Sequence, residues 1–183
     1  MTVSPYCTIG PFFPASFVEG REDLTRYRGG TARGQHIALS GRILQEGGVP
    51  TRNTILEIWQ ADAKGIFRHP NDPRNGDADP GFAGWGRART DAEGWYKIKT
   101  VLPGSYDARC PHANLMILAI GLTRRLVTTV FFSDDPDAVH DPVLDCVTDT
   151  AARKRLFATR EGADAYRFDL ILRGESETPF FLD

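Results

Sequence analysis

The chain has 183 residues, 41% hydrophobic and 25% charged, with a formal net charge of −2. Such values describe one globular domain with a substantial core. They exclude a basic nucleic-acid or lipid-binding surface and a membrane-spanning apolar run, and no basic-then-apolar leader is present, so a cytoplasmic protein is expected. Cys7, Cys110 and Cys146 have no paired spacing and read as reduced thiols, Cys110 as a buried, inert one.

Residues 1–34 are broken by Pro5, Pro11, Pro14, Gly10, Gly20, Gly29 and Gly30. They are expected to form an irregular N-terminal arm that packs on a partner subunit, followed by a β-sandwich domain over residues 35–183. Strand patterns follow over residues 36–44, ending at the Gly47-Gly48 turn, and over residues 54–60, rich in β-branched and aromatic side chains. Residues 70–84 are dense in Asp, Asn, Pro and Gly, which predicts an exposed loop. Asp72, Asp77 and Asp79 lack calcium-loop spacing and read as turn chemistry. Residues 95–101 alternate. Residues 115–121 are almost wholly apolar, as in a strand covered on both faces or buried at a subunit contact. Residues 126–132 read as the neighbouring strand, and residues 166–172 close the series. One short helix is predicted, capped by Thr148 or Asp149 and running through Ala151, Ala152, Lys154, Leu156 and Phe157. The fold class is mainly β, an antiparallel sandwich.

His112 follows a proline and precedes an apolar strand, where a hydrogen-bonded core histidine is the plain reading. Tyr106 after Pro103-Gly104-Ser105 reads as a strand-edge aromatic. His69 and His140 sit in loops and are expected to be exposed. Glu57 and Asp62 are not spaced as a catalytic carboxylate pair, and no GxSxG elbow or phosphate loop is present.

Taken together, the segments point further. They are Thr8-Ile9-Gly10-Pro11-Phe12, Glu57-Ile58-Trp59-Gln60-Ala61-Asp62, Gly65-Ile66-Phe67-Arg68-His69, Pro103-Gly104-Ser105-Tyr106, Pro111-His112-Ala113-Asn114 and Ala165-Tyr166-Arg167-Phe168-Asp169. In this order the chain resembles the intradiol ring-cleaving dioxygenases, which hold non-haem Fe(III) with two tyrosines and two histidines. The resemblance puts Phe67, Tyr106, His112 and Asn114 at the four ligand positions. Phe67 has no donor atom, and an Asn amide is a weak ligand. The expectation is therefore no metal and no catalytic residue in this chain.

Within the family the likeness is nearest to iron-free α-type chains whose assemblies cleave protocatechuate. It implies a hetero-oligomer of αβ units with Fe(III) held by the β-type partner, and a small aromatic substrate. Thr8, Gly10 and Pro11 would line the partner's substrate pocket. Two departures stand out: related α-type chains often carry tyrosine at the position of Phe67 and arginine at that of Ile120. A self-sufficient homomeric dioxygenase and a non-catalytic β-sandwich binding module are the rival readings.

Overall fold

A computed structural model describes residues 13–181. Among them are eleven strands: β1 (Arg26–Tyr27), β2 (Gly30–Thr31), β3 (His36–Leu44), β4 (Ile55–Trp59), β5 (Trp85–Arg89), β6 (Trp95–Val101), β7 (His112–Leu118), β8 (Leu126–Phe131), β9 (Thr159–Arg160), β10 (Ala165–Arg167) and β11 (Leu170–Ile171). One sheet runs β5-β4-β7-β8, antiparallel throughout. The other is built around β3, with β6 antiparallel on one side and β10 and β11 on the other.

The period-2 pattern decides which side chains enter the core. In β3 and β6 alternate residues are buried, and Leu39, Ile43 and Ile98 are wholly covered. Leu56 and Ile58 of β4 and Leu115 and Ile117 of β7 meet them from the opposite sheet. Of the apolar run expected over residues 115–121, residues 115–118 form the later part of β7, which begins at His112, and residues 119–121 lie beyond its end. Its inner face is buried, while Asn114, Met116 and Leu118 on the outer face are half-covered.

Several expectations need correcting. The sandwich is not purely antiparallel, because β10 and β11 run parallel to β3. The single strand expected over residues 166–172 is broken in two. Opposite the break, Phe168 donates its amide to the Ser40 carbonyl, and the Asp169 carboxylate takes the Arg42 amide at 2.8 Å. Only glycine fits at position 41 there, since a Cβ would stand 1.9 Å from the Phe168 carbonyl oxygen. Strand β5 was not foreseen; it begins at Trp85, immediately after the loop assigned to residues 70–84.

That loop is also less exposed than expected. Asp79 is 8% exposed and accepts amides from Arg33 at 2.5 Å and Gly81 at 2.9 Å, and Phe82 enters the core. Two short helices replace the one predicted. In α1 (Pro142–Asp145) Asp141 caps the Val143 amide, and in α2 (Thr150–Lys154) Asp149 caps Ala151 and Ala152. Leu156 and Phe157 lie beyond the second helix, and the Leu156 carbonyl accepts the Phe131 amide from β8.

Of the arm assigned to residues 1–34, the part from Arg21 to Ala32 joins this chain's own sandwich. Leu24, 1% exposed, ties β6 to the segment that leads into β5: its amide donates to the Lys99 carbonyl and its carbonyl accepts from Ala83. Thr8, Gly10 and Pro11 lie outside the described residues. No helix among those described is long and apolar enough to cross a membrane.

Candidate functional site

The four positions singled out in the sequence gather at one end of the β5-β4-β7-β8 sheet, on its outer face. His112 and Asn114 are two residues apart on β7 and therefore share a face. Asn114 pairs across the ladder with Trp59, the last residue of β4. The chain then turns, and Asp62 builds that turn: one carboxylate oxygen accepts the Lys64 and Ile66 amides, and the other accepts the Asp79 amide. Gly65 sits there at φ +74, and a Cβ would fall 2.1 Å from the Ser105 carbonyl oxygen. This backbone-to-backbone contact brings Phe67 against Tyr106, with ring centroids 4.9 Å apart and the rings nearly perpendicular.

Tyr106 and His112 are joined to each other. His112 Nδ1 lies 2.7 Å from the Cys110 carbonyl oxygen, which only accepts, so Nδ1 carries the proton. Nε2 is then an acceptor, and the Tyr106 hydroxyl, 3.0 Å away, donates to it. Burial lowers the His112 pKa to about 4, keeping the imidazole neutral, and burial also raises that of Tyr106.

The remaining two positions supply no strong donor. Phe67 offers only a ring, and the Asn114 amide oxygen already accepts from the Thr129 hydroxyl at 3.1 Å. Among the described residues no group of three or more His, Cys, Asp or Glu is placed to hold a metal. The side chains present do not fit Fe(III), a hard cation wanting several anionic or imidazole donors.

Two supports of the site were not singled out as site residues from the sequence. Asp141, 1% exposed, accepts from Arg109 Nε at 2.9 Å and from the Cys110 and Val143 amides. It ties the loop bearing Tyr106 and His112 to α1. The Asp141-Pro142 pair is a helix-start signal that could have revealed it. Trp59, 41% exposed, forms with Phe67, His69 and Tyr106 the wall of a cavity of about 360 Å³. A larger cavity, about 590 Å³, opens beside residues 15–22 and includes none of the site residues.

The other candidates fall as follows. His69 and His140 are exposed, as expected. Glu57 is engaged by Arg87 at 2.5 Å and faces no second carboxylate. Cys110 is half-buried rather than buried; its thiol donates to the His140 carbonyl, and burial raises its pKa. Ile120 is 50% exposed, eight residues along the chain from His112. It is not among the residues that line this chain's cavity beside Tyr106.

Comparison with known proteins decides the family. Residues 8–113 match the family model described as Dioxygenase. The chain is 40% identical over 173 residues to the protocatechuate 3,4-dioxygenase beta chain of Burkholderia cepacia, spanning 86% of this chain and 73% of that one. It is 34% identical over 193 residues to the protocatechuate 3,4-dioxygenase alpha chain of Pseudomonas putida, spanning 98% and 93%. This chain belongs to the intradiol dioxygenase family.

Solved structures of intradiol dioxygenases share its fold. The dioxygenase domain of a carbohydrate-binding fusion from Streptomyces sp. SirexAA-E superposes with a TM-score of 0.61 at 24% identity, covering 92% of this chain and 96% of that domain. Catechol 1,2-dioxygenase from Acinetobacter sp. ADP1 superposes with a TM-score of 0.60 at 23% identity, covering 95% and 64%. The likeness extends to both alpha and beta chains of the two-chain enzyme, so identity alone does not assign a subunit role.

Proposed function

We propose that this chain is the iron-free, α-type subunit of a protocatechuate 3,4-dioxygenase, with Fe(III) carried by a β-type partner in αβ units. One observation carries this reading: of the four ligand positions, Phe67 holds no donor atom and Asn114 only a weakly ligating amide. The likeness to the Pseudomonas putida alpha chain spans nearly the full length of both chains, which supports the same assignment. The higher identity to a beta chain pulls the other way, but a β-type role needs the iron ligands that Phe67 and Asn114 do not supply.

The assembled enzyme would open protocatechuate between its hydroxyls with dioxygen, giving 3-carboxy-cis,cis-muconate. This chain would contribute no catalytic residue. Its contribution would be the turn at Thr8, Gly10 and Pro11, lining the partner's pocket. Gly10 permits close backbone approach and Pro11 stiffens the turn. Ile120 favours a second reading in which the substrate is a catechol without a carboxylate, since an apolar side chain stands where an arginine would meet that charge.

The test is elemental analysis and visible absorbance of the chain purified alone and co-expressed with an iron-bearing β-type chain. The chain alone should hold negligible iron and lack tyrosinate-to-iron colour. The complex should be coloured and active on protocatechuate. Stoichiometric iron with that colour in the chain alone would overturn the assignment. Activity of the complex on catechol but not on protocatechuate would select the second reading.

A further inference from the structure

The strap at residues 13–24 is fastened to the sandwich by two arginines of β5. Arg87 and Arg89 lie two apart on the strand and so share its outer face. Arg89 donates from one guanidinium nitrogen to the Phe13 carbonyl at 2.6 Å and to the Pro14 carbonyl at 3.3 Å. Arg87 stands over the Phe17 ring, its guanidinium carbon 3.6 Å from the ring centroid, with Glu57 holding it at 2.5 Å. Between these two points lies one 3-10 turn, Ala15–Phe17, in which the Phe17 amide donates to the Pro14 carbonyl and the Phe13 and Phe17 rings stack at 5.2 Å. Further along, the Arg21 carbonyl accepts the Arg87 amide, and a Cβ at Gly86 would stand 2.3 Å from that oxygen. These contacts fix the register of the strap on β5.

The two arginines differ in what they hold. Arg87 is neutralised by Glu57 and also lies 4.4 Å from the Trp85 ring centroid, so it serves packing. Arg89 forms no ion pair among the described residues, and its Nε is buried there without a partner. An unpaired buried donor costs stability. What the side chain gains is the hold on two carbonyls at the start of the strap, through charge-assisted bonds that fix direction as well as place. Phe13 stands at the Arg89 end of β5, four residues along the strand from Trp85, which pairs with Trp59. The chain before Phe13 therefore departs from the end of β5 remote from Trp59. Gly10 comes three residues earlier, a span of at most about 10 Å.

We propose that Arg89 is a positioning residue for the partner's substrate pocket. By fixing the Phe13 and Pro14 carbonyls, it sets where and in which direction the turn at Thr8, Gly10 and Pro11 leaves the sandwich. The proposal rests on the reading that this turn lines that pocket. Arg89 touches no substrate and acts only through the turn, whose displacement by about 1 Å is enough to weaken binding.

The test is steady-state kinetics of the αβ complex at equal iron content, on whichever catechol it turns over. Wild type is compared with Arg89→Gln, Arg89→Lys, Gly10→Val and the double variant Arg89→Gln/Gly10→Val. Arg89→Gln should raise KM about fivefold and leave kcat within about twofold, since a shifted pocket wall weakens ground and transition states alike. The double variant should lose no more kcat/KM than Gly10→Val alone, because both changes act through one turn. Chymotrypsin cleavage after Phe12 or Phe17 should run at least about fivefold faster in Arg89→Gln, a readout independent of activity. Arg89→Lys keeps the charge and one donor; it should show a smaller KM rise with the same non-additivity, and it carries the test if the Gln variant fails to assemble. A kinetic loss in Gly10→Val with none in Arg89→Gln would overturn the proposal and leave the turn in the pocket. No loss in Gly10→Val would remove the turn from the pocket and the proposal with it. Losses that add in the double variant, or a drop in iron content or Tm that accounts for the Arg89→Gln loss, would make Arg89 a plain structural contact and overturn the proposal equally.

Discussion

The neutral His112 makes a measurable prediction about acid stability. Its pKa is lowered from 6.5 to about 4 by burial, so the folded state resists protonation that the unfolded chain accepts. Between those two values the unfolded state binds more protons, and stability falls as pH falls. Above pH 6.5 both states are neutral and the group costs nothing. Each pH unit inside the window is worth about 1.4 kcal/mol, so the full window amounts to about 3 kcal/mol. Going from about pH 7.5 to about pH 5 spans part of it and should remove about 2 kcal/mol through this one side chain. For a chain of this size that is a fall of roughly 4–8 °C in Tm. The assay is urea unfolding of wild type and His112→Gln at both pH values. Gln retains hydrogen-bonding atoms but does not titrate. Other groups titrate in the same range, so the quantity to read is the difference between the two proteins' pH-dependent losses. Wild type should lose about 2 kcal/mol more than the variant. Equal losses would mean that the imidazole is charged or exposed in the folded state, and the hydrogen-bonded pair described above would be wrong.

Asp141→Ala leaves Arg109 without its buried partner and uncaps α1; it should cost about 4 kcal/mol by chemical denaturation, and a loss under about 1 kcal/mol would refute the tie between that loop and the helix. Gly65→Ala meets both a left-handed backbone and the Ser105 carbonyl, whereas Gly121→Ala, at φ +87 with nothing within 4 Å of the added Cβ, meets only the backbone strain. Gly121→Ala should cost about 1–2 kcal/mol and Gly65→Ala clearly more; equal costs would deny the close approach that seats Phe67 on Tyr106. Gly10→Val in the αβ complex should lower kcat/KM about tenfold at unchanged iron content, about 1.4 kcal/mol of transition-state binding. Unchanged kinetics per iron would place that turn away from the pocket.

Strand patterns with one buried face were legible in the sequence. Residues 36–44 alternate loosely and residues 95–101 clearly, and both became strands with those bounds, because period-2 burial is a local property of side-chain spacing. Motif order also singled out residues 67, 106, 112 and 114, which the fold gathers at one end of a sheet. Other features depended on contacts between distant segments. Nothing local announces that residues 166–172 will break opposite Gly41, that β10 and β11 will run parallel to β3, or that Asp79 will be buried under the Arg33 amide. The cavity that Trp59 shares with Phe67, His69 and Tyr106 likewise exists only once residues 59–74 fold over the loop carrying Tyr106 and Asp107. The sequence could show which metal donors are missing at positions 67 and 114. That His112 and Tyr106 spend their lone pair and proton on one another required the fold, since hydrogen bonding depends on separations of a few tenths of an ångström that residue order does not encode.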